Sequence, residues 1–306
     1  MPVVVGKAKD RYIDLIVLPV LYTFFAAFTI LCVFPFYYLI INSISANDMS
    51  ARGVVMFYPV GVHFNNYRQI FRIGGISSAA MISISRTVLG TSLTVLGSSF
   101  LGYMFQHRRL WARKFWYRSV VVTMYFSAGL IPWFLTMRTL GLTNNFLAYI
   151  LPAIVQPFNI ILLKTYIENT PFELQEAAEV DGAGIGYTYF QIILPISKPI
   201  LATVAIFAAV GQWNAFQDTL ILMTDARLHT LQFILFRYLN EARSLALLIA
   251  ASGGAISEAA AEAATQTTPT SVQMTVAVIV VMPILLVYPI FQRFFVKGIM
   301  IGAVKG

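Results

Sequence analysis

Six long apolar runs divide the sequence, and shorter polar segments separate them. The runs cover residues of about 15–41, 77–105, 117–138, 143–165, 199–222 and 271–294. A helix of about 20 apolar residues is long enough to cross the hydrocarbon core of a bilayer, which is about 30 Å thick. The pattern therefore predicts an all-α, polytopic membrane protein with six transmembrane helices in a single domain over residues 1–306.

Composition agrees with this pattern. Charged residues make up 11% of the chain, whereas about 25% is usual in soluble domains. The first run is too long for a cleaved signal peptide and has no small-residue cleavage site at its end, so we expect it to remain as the first span. The single cysteine, Cys32, lies inside that run, which excludes an intrachain disulfide.

Basic residues predict the orientation, because Lys and Arg near span ends are retained in the cytoplasm. They concentrate near both termini and in the cluster 108–118, and these segments alternate with less basic ones. Both termini are therefore predicted to be cytoplasmic. This topology signal, facing anionic lipid, accounts for the net charge of +8 without any nucleic-acid partner.

Two of the predicted outer loops differ in character. Residues 45–76 carry Pro59, Gly61 and two adjacent asparagines, which are turn residues typical of a compact cap. Residues of about 223–269 form the longest and most polar loop. Two interpretations of the second loop are open, a solvated tether or a docking surface for an extracytoplasmic protein.

Residues 166–198, which we call the motif segment, show local signals for ordered structure. Thr170 as N-cap, Pro171 at the first helical position and Glu173 three residues after the cap form the pattern of a capping box. Gly182 supplies the backbone freedom that a helix end needs. We predict a helix, a turn and a second short helix that runs to Pro195 on the cytoplasmic side.

The motif segment resembles the inner loop of the membrane subunits of bacterial, binding-protein-dependent ATP-binding-cassette (ABC) importers of type I. That loop carries Glu-Ala-Ala, then Gly, Ile and Leu-Pro at fixed spacing, and the matching residues here are Glu176, Ala177, Ala178, Gly182, Ile192, Leu194 and Pro195. Further matches are similar to the carbohydrate branch of the family: Gly141-Leu142, Asp181-Gly182-Ala183, Trp213-Asn214 and the tail 295–306.

The resemblance implies that the motif segment is a coupling helix and loop, and that Glu176 pairs with a basic residue of a cytoplasmic ATPase. It implies four kinds of partner: a distinct but homologous second permease, two ATPase subunits, an extracytoplasmic solute-binding protein and membrane lipid. The sequence contains no Gly-x-x-x-x-Gly-Lys-Ser/Thr loop, so we expect ATP and Mg²⁺ to bind the ATPase and this chain to be a transport subunit without cofactor, metal or catalytic residues. The cargo implied is an oligosaccharide, with acidic ones such as alginate or aldouronates as the nearest resemblance.

Polar and aromatic side chains inside the apolar runs are candidates for lining a sugar path. They are Arg86, Tyr125, Trp133, Gln156, Asn159, Gln212, Trp213, Asn214, Gln217 and Asp218. Ionisable groups at membrane depth usually face a cavity or a partner, so Arg86 is either a counter-charge for an acidic sugar or a side chain that snorkels to water. Trp213 is either a stacking platform for sugar or a packing residue.

Three other functions compete with an oligosaccharide importer. An ion-coupled secondary transporter is disfavoured because buried carboxylates and inverted repeats are its usual signs, and Asp218 is the only acid near span depth. A membrane enzyme would need convergent catalytic groups at one depth, which the sequence does not supply. The third alternative is an ABC importer of the same family that carries a polyol or glycerol phosphate instead of an oligosaccharide, and this alternative stays open.

Overall fold

The computed structural model describes residues 6–72, 75–107, 109–240 and 273–289. These residues form helices and connecting turns, with no β-strand among them. They fall into two compact units: residues 6–70 with 273–279 form the first, and the described residues of 71–240 with 280–289 form the second. Most of the predicted outer loop 223–269 and the tail 295–306 lie outside the described residues.

The first unit contains a long apolar helix and the polar loop that follows it. The helices are α1 (Gly6–Ser43), α2 (Asn47–Ala51) and the start of α3 (Asn65–Arg72). Asn42 is fully buried and donates from Nδ2 to the Tyr38 and Val55 carbonyls, while its Oδ1 accepts from the Ser50 hydroxyl at 2.8 Å. Because these bonds satisfy a buried amide, they hold the loop against the helix end. The loop after the first span is therefore compact, as its turn residues predict, and its position on the outer side stays a prediction.

The second unit is built around α4 (Ile76–Gln106), which packs against α7 (Pro157–Glu168) and α11 (Lys198–Asn214). The buried face of α4 consists mainly of small or polar residues spaced three or four apart, including Ser83, Arg86, Gly90, Thr94, Ser98 and Gly102. A Cβ atom on Gly102 would lie 3.0 Å from the backbone nitrogen of Lys164. Glycine therefore permits the close approach of α4 to α7.

The predicted third span is not one helix. It consists of α5 (Arg113–Tyr125) and α6 (Leu130–Thr139), whose axes differ by 120°. Pro132 would clash with the carbonyl four residues earlier in a continuous helix, and Gly129, with φ of +85°, takes a conformation that favours glycine. These two residues explain why the helix breaks where the apolar run continues.

The predicted fourth and fifth spans are also interrupted. Short 3₁₀ turns at Phe146–Tyr149 and Leu151–Ala153 precede α7 with a bend of 42°. The fifth span ends its main helix at Asn214 and resumes as α12 (Gln217–Leu222), followed by a helix over residues 231–240.

Two unbroken helices are long and apolar enough to cross a membrane, Val17–Ser43 and Ile76–Gln106. The number rises to five among the described residues if each bent helix pair counts as one span. The predicted sixth span contains a shorter apolar helix, Gln273–Pro289, and its last residues, 290–294, are outside the described part. The number six therefore stays a prediction.

The motif segment folds as two helical pieces joined by a turn. The first is α8 (Glu173–Val180); the second is a run made of α9 (Ile185–Thr188), a π-helical turn (Tyr189–Ile193) and α10 (Leu194–Ile196). Gly182 has φ of +83° and ends the first piece as predicted. The predicted capping box is wrong: the Thr170 hydroxyl donates to the Ile167 carbonyl, because carbonyls in the last turn of α7 lack helical partners.

Candidate functional site

Arg86 and Asp218 form a buried ion pair across the second unit. The Arg86 side chain is 2% exposed and that of Asp218 is 18% exposed. Nη2 of Arg86 lies 2.6 Å from Oδ2 of Asp218, and Nη1 lies 3.2 Å from Oδ1. Such a two-bond fork fixes the orientation of both groups as well as neutralising them.

The remaining donors of Arg86 are engaged by residues around the end of α11. Nε and Nη2 donate to Oε1 of Gln212 at 3.1 and 3.0 Å, and Nη1 donates to the Ala215 carbonyl at 3.2 Å. A guanidinium has five N–H groups, and all five are used. The Tyr149 ring lies 4.3 Å from the guanidinium carbon. The prediction that Arg86 snorkels to water is wrong, because its charge and donors are satisfied within the protein.

Close packing by a glycine allows this arrangement. A Cβ atom on Gly90 would lie 2.6 Å from Nε2 of Gln212. With glycine at that position, the Gln212 side chain lies flat against α4, accepts from Arg86 and donates to the Tyr149 carbonyl at 3.2 Å. The cluster therefore joins three parts of the unit, namely α4, the broken fifth span and the 3₁₀ turn that carries Tyr149.

A polar cavity of about 430 Å³ adjoins the ion pair. Arg86, Gln212 and Asp218 line one part of it, and the remaining lining includes Thr94, Trp133, Tyr149, Gln156, Phe158, Asn159, Phe207 and Gly211. The side-chain amides of Gln156 and Asn159 form no hydrogen bond with any residue that the structure describes. The cavity thus offers unengaged amides beside aromatic side chains.

The structure separates the predicted path residues into two groups. The cavity brings together Arg86, Trp133, Gln156, Asn159, Gln212 and Asp218. Tyr125 is 83% exposed at the end of α5, Gln217 is exposed at the start of α12, and Asn214 accepts from Gln232 at 3.0 Å. Those three do not line the cavity.

Trp213 lies beside a different, apolar groove. Its indole Nε1 donates to the Val280 carbonyl at 3.0 Å, and its side chain is 8% exposed. The groove is lined by apolar residues of α4, α11 and the helix Gln273–Pro289. The geometry therefore agrees with the packing interpretation of Trp213.

Sequence reasoning missed Thr94 and Tyr149 as cavity residues. Tyr149 lies within an apolar run and has no polar neighbour in the sequence to mark it. Thr94 had a usable signal, because it continues the stripe of polar and small residues that begins at Ser83 and passes through Arg86. In the part of the chain that the structure describes, no three His, Cys, Asp or Glu side chains are grouped so that they could hold a metal ion.

The motif segment presents one exposed and one buried side. Glu176, Ala177 and Asp181 are exposed, whereas Gln175 and Ala178 are buried. Several large apolar side chains are also exposed there: Leu174 at 44%, Val180 at 87%, Ile185 at 42%, Tyr187 at 62% and Phe190 at 59%. Exposed apolar side chains in this number are typical of an interaction surface.

Several contacts tie the buried side to α4 and the turn after it. Gln175 Nε2 donates to Oε1 of Gln106 at 3.4 Å, and the exposed Arg109 pairs with Glu179 at 2.9 Å. Tyr189 is 2% exposed and stacks on Tyr103 with ring centroids 5.8 Å apart. Burial raises the pKa of the Tyr189 phenol, which therefore stays neutral. Ile192 and Leu194 are half-buried and Pro195 is exposed.

Known proteins resemble this chain over nearly its whole length. No protein-family model matches the sequence. The polygalacturonan/rhamnogalacturonan transport system permease protein YtcP of Bacillus subtilis is 32% identical over 298 residues, which cover 97% of this chain and 100% of YtcP. LplC of the same organism is 32% identical over 274 residues, 90% of each chain. The arabinooligosaccharides transport system permease protein AraQ of Halalkalibacterium halodurans is 28% identical over 92% of this chain and 94% of AraQ.

A solved structure shows the same fold. It is the crystal structure of a bacterial ABC transporter involved in the import of the acidic polysaccharide alginate, one chain of which matches with a TM-score of 0.81. The sequences are 25% identical, and the match covers 96% of this chain and 100% of that one. Together with the sequence relatives, it shows that this chain belongs to the family of permease subunits of sugar ABC transporters.

Proposed function

We propose that this chain is the transmembrane subunit of an ATP-driven importer in the bacterial inner membrane and forms half of the path for oligosaccharides. The main support for this proposal is the match to YtcP over 97% of the chain, together with the polar cavity between the helices of this chain. By their names, YtcP belongs to a transport system for polygalacturonan or rhamnogalacturonan and AraQ to one for arabinooligosaccharides. The transporter of known structure is involved in the import of the acidic polysaccharide alginate. These names support an oligosaccharide cargo, including acidic ones such as alginate or aldouronates.

Six spans in one domain and cytoplasmic termini complete this proposal. The spans would include two of the bent pairs as single crossings, α5 with α6 and Phe146–Ala153 with α7, because apolar runs of sufficient length underlie them. Irregular backbone at membrane depth is tolerated where it is buried in protein or lines a cavity. The basic residues near the termini and in residues 108–118 support the orientation.

The motif segment would then couple this chain to two cytoplasmic ATPase subunits, which bind ATP and Mg²⁺. The exposed carboxylate of Glu176 is placed to form a charge-assisted bond with a basic partner residue. Ala177 is small and exposed, which permits close approach, and Gly182 sets the angle to the second helical piece with Asp181 beside it. The exposed apolar side chains of the segment would be covered by the ATPase groove.

The cavity would be this chain's share of the path. A sugar presents hydroxyl groups at its edges and C–H groups on its faces, so amides and aromatic rings suit it. Gln156, Asn159 and Trp133 supply those groups. A second, distinct but homologous permease would close the other side, and an extracytoplasmic binding protein would deliver the sugar. ATP binding would close the ATPases, move the motif segment and open the path outward; hydrolysis would reset it.

The test is sugar-dependent stimulation of ATPase activity by the binding protein, measured with the full complex in lipid vesicles. Glu176→Lys is expected to abolish stimulation while the subunits still assemble. Glu173→Lys is the matched control, since Glu173 is an exposed carboxylate on the same helix outside the motif. If a polyol or glycerol phosphate stimulates the ATPase activity and no oligosaccharide does, the proposal of an oligosaccharide cargo is wrong. Equal behaviour of Glu176→Lys and wild type would overturn the coupling role.

A further inference from the structure

Arg86 and Asp218 supply the positive and the negative charge at the cavity wall, and they neutralise each other. The fork between them uses two guanidinium N–H groups, and the other three bind Gln212 and the Ala215 carbonyl. A cargo carboxylate that approached Arg86 would find no free donor. It would also meet the Asp218 carboxylate, which repels it.

The bonds of Arg86 have a structural purpose of their own. Ala215 follows the last residue of α11, so its carbonyl lies where the helix ends and helical acceptors lose their partners. Arg86 satisfies that carbonyl and holds Asp218 of α12 on the other side of the break. Displacing Asp218 would therefore disturb the fifth span at its break as well as exposing a charge.

Uncharged groups remain available to a cargo. The Asn159 side chain is 6% exposed, lies at the start of α7 and has no hydrogen bond to any described residue. Gln156 lies three residues earlier with its amide equally unengaged, and the Trp133 side chain also lines the cavity. An uncharged amide can both donate to and accept from a hydroxyl, whereas toward a carboxylate it can only donate and it supplies no positive charge.

Building on the proposed function, we infer that this chain recognises the hydroxyl groups and ring faces of its cargo through Asn159, Gln156 and Trp133. It does not distinguish a charged cargo from an uncharged one. Arg86 is a positioning residue that holds the broken fifth span. Neutral and acidic oligosaccharides of equal length are therefore equivalent to this cavity. Selection for or against a carboxylate belongs to the partner permease or the binding protein.

The experiment measures uptake of a neutral and a uronate trisaccharide by the full complex in proteoliposomes, each supplied with a binding protein that accepts it. Asn159→Leu keeps the side-chain size and removes the amide. It is expected to lower both uptake rates by about tenfold, the effect of losing a hydrogen bond to cargo, and to leave their ratio unchanged within about twofold. Asn65→Leu, at an exposed asparagine outside the cavity, is the matched control and should change neither rate.

The paired variant Arg86→Met/Asp218→Asn removes both charges together. The inference predicts that the ratio of acidic to neutral uptake stays as in wild type. A selective loss of acidic uptake of tenfold or more would show that Arg86 reads the carboxylate and would overturn it. If the paired variant does not assemble, Asn159→Leu still decides, since unchanged uptake of both sugars would also overturn the inference. Failure of wild type to take up either sugar would count against the proposed function instead.

Discussion

The hydroxyl groups of Tyr189 and Ser99 lie 2.6 Å apart, and both side chains are 2% exposed. Tyr189 belongs to the π-helical turn of the motif segment, and Ser99 lies in α4. The bond therefore joins the segment proposed to meet the ATPase to the helix that carries Arg86. Phe100 adds an edge-on ring contact to Tyr189 at 5.3 Å. A movement of the second helical piece of the motif segment is therefore expected to displace α4 as well.

Removing either hydroxyl should weaken this connection. Tyr189→Phe and Ser99→Ala are each expected to lower the free energy of unfolding by about 1 kcal/mol, the net value of a buried hydrogen bond. The double variant should lose less than the sum of the two single losses, because both substitutions remove the same bond, although each hydroxyl also contacts the Leu96 carbonyl. Thermal unfolding of the purified complex in detergent measures these changes.

Tyr125→Phe is the control for this pair, because Tyr125 is 83% exposed at the end of α5 and lies outside the motif segment. Its unfolding temperature should equal that of wild type. Stimulated ATPase activity of Tyr189→Phe should fall relative to Tyr125→Phe if the bond transmits movement. Strictly additive losses in the double variant would contradict a direct bond.

Breaking the ion pair on one side should cost more than removing it entirely. Asp218→Asn leaves the Arg86 guanidinium buried without a counter-charge, and we expect a loss of about 3 kcal/mol. Arg86→Met/Asp218→Asn leaves no charge and should recover part of that loss. Denaturation of wild type, Asp218→Asn, Arg86→Met and the double variant side by side gives the coupling energy. A double variant that loses as much stability as the two single variants together would argue against pairing.

The two glycines Gly102 and Gly211 should respond oppositely to alanine. A Cβ on Gly102 would meet the Lys164 backbone nitrogen at 3.0 Å and Cβ of Leu163 at 3.1 Å, so overpacking is expected to cost about 1–3 kcal/mol. No atom lies within 4 Å of a Cβ on Gly211. Gly211→Ala in α11 should therefore be stabilising by about 0.5–1 kcal/mol. Unfolding temperatures distinguish the two, and equal effects would contradict the α4–α7 contact.

Asp225 gives a pH prediction for the turn after α12. Its carboxylate accepts from the Arg227 side chain and backbone, which lowers its pKa from 3.8 to about 2. A lowered pKa means that the turn is stabilised above pH 3.8 and loses this stabilisation as the pH falls toward 2. NMR titration of the carboxyl group in wild type and in Arg227→Gln tests this, since the variant should titrate nearer 3.8. Titration of wild type near 3.8 would contradict the ion pair.

The sequence predicts those parts of the fold that depend on neighbouring residues. Apolar runs mark the helices: α4 begins and ends close to the predicted limits, and α1 ends close to its predicted limit but begins at Gly6, nine residues before the apolar run. The short helices of the motif segment and the glycine that separates them follow from local signals, and the spacing around Glu176 identifies the family that full-length relatives then show.

The features that the sequence could not predict are of two kinds. Some depend on contacts between residues far apart in the chain, and others depend on residues whose local pattern fits two different structures. Arg86 and Asp218 are separated by 132 positions, and no feature of the sequence near either residue indicates that the two form an ion pair. Thr170 matched a helix start, but it lies two residues beyond the end of α7 and bonds back to that helix instead. Average hydropathy does not register the break at Gly129, because the residues on both sides are apolar.

The small-residue face of α4 has a mechanical consequence. Ser83, Gly90, Thr94, Ser98 and Gly102 project little beyond the helix backbone, so they make no tall ridges for α7 and α11 to interlock with. Among the described residues, the buried hydroxyls of Thr91 and Ser98 accept and donate no hydrogen bond that would pin this face to a neighbour. Small sliding displacements of packed helices are one way in which proteins change shape. The five bonds of Arg86 hold α4 to the fifth span, so these elements are expected to move together. Among the described residues no side-chain hydrogen bond joins α4 to α7, and a small sliding movement between these two helices would need no side chain to change rotamer.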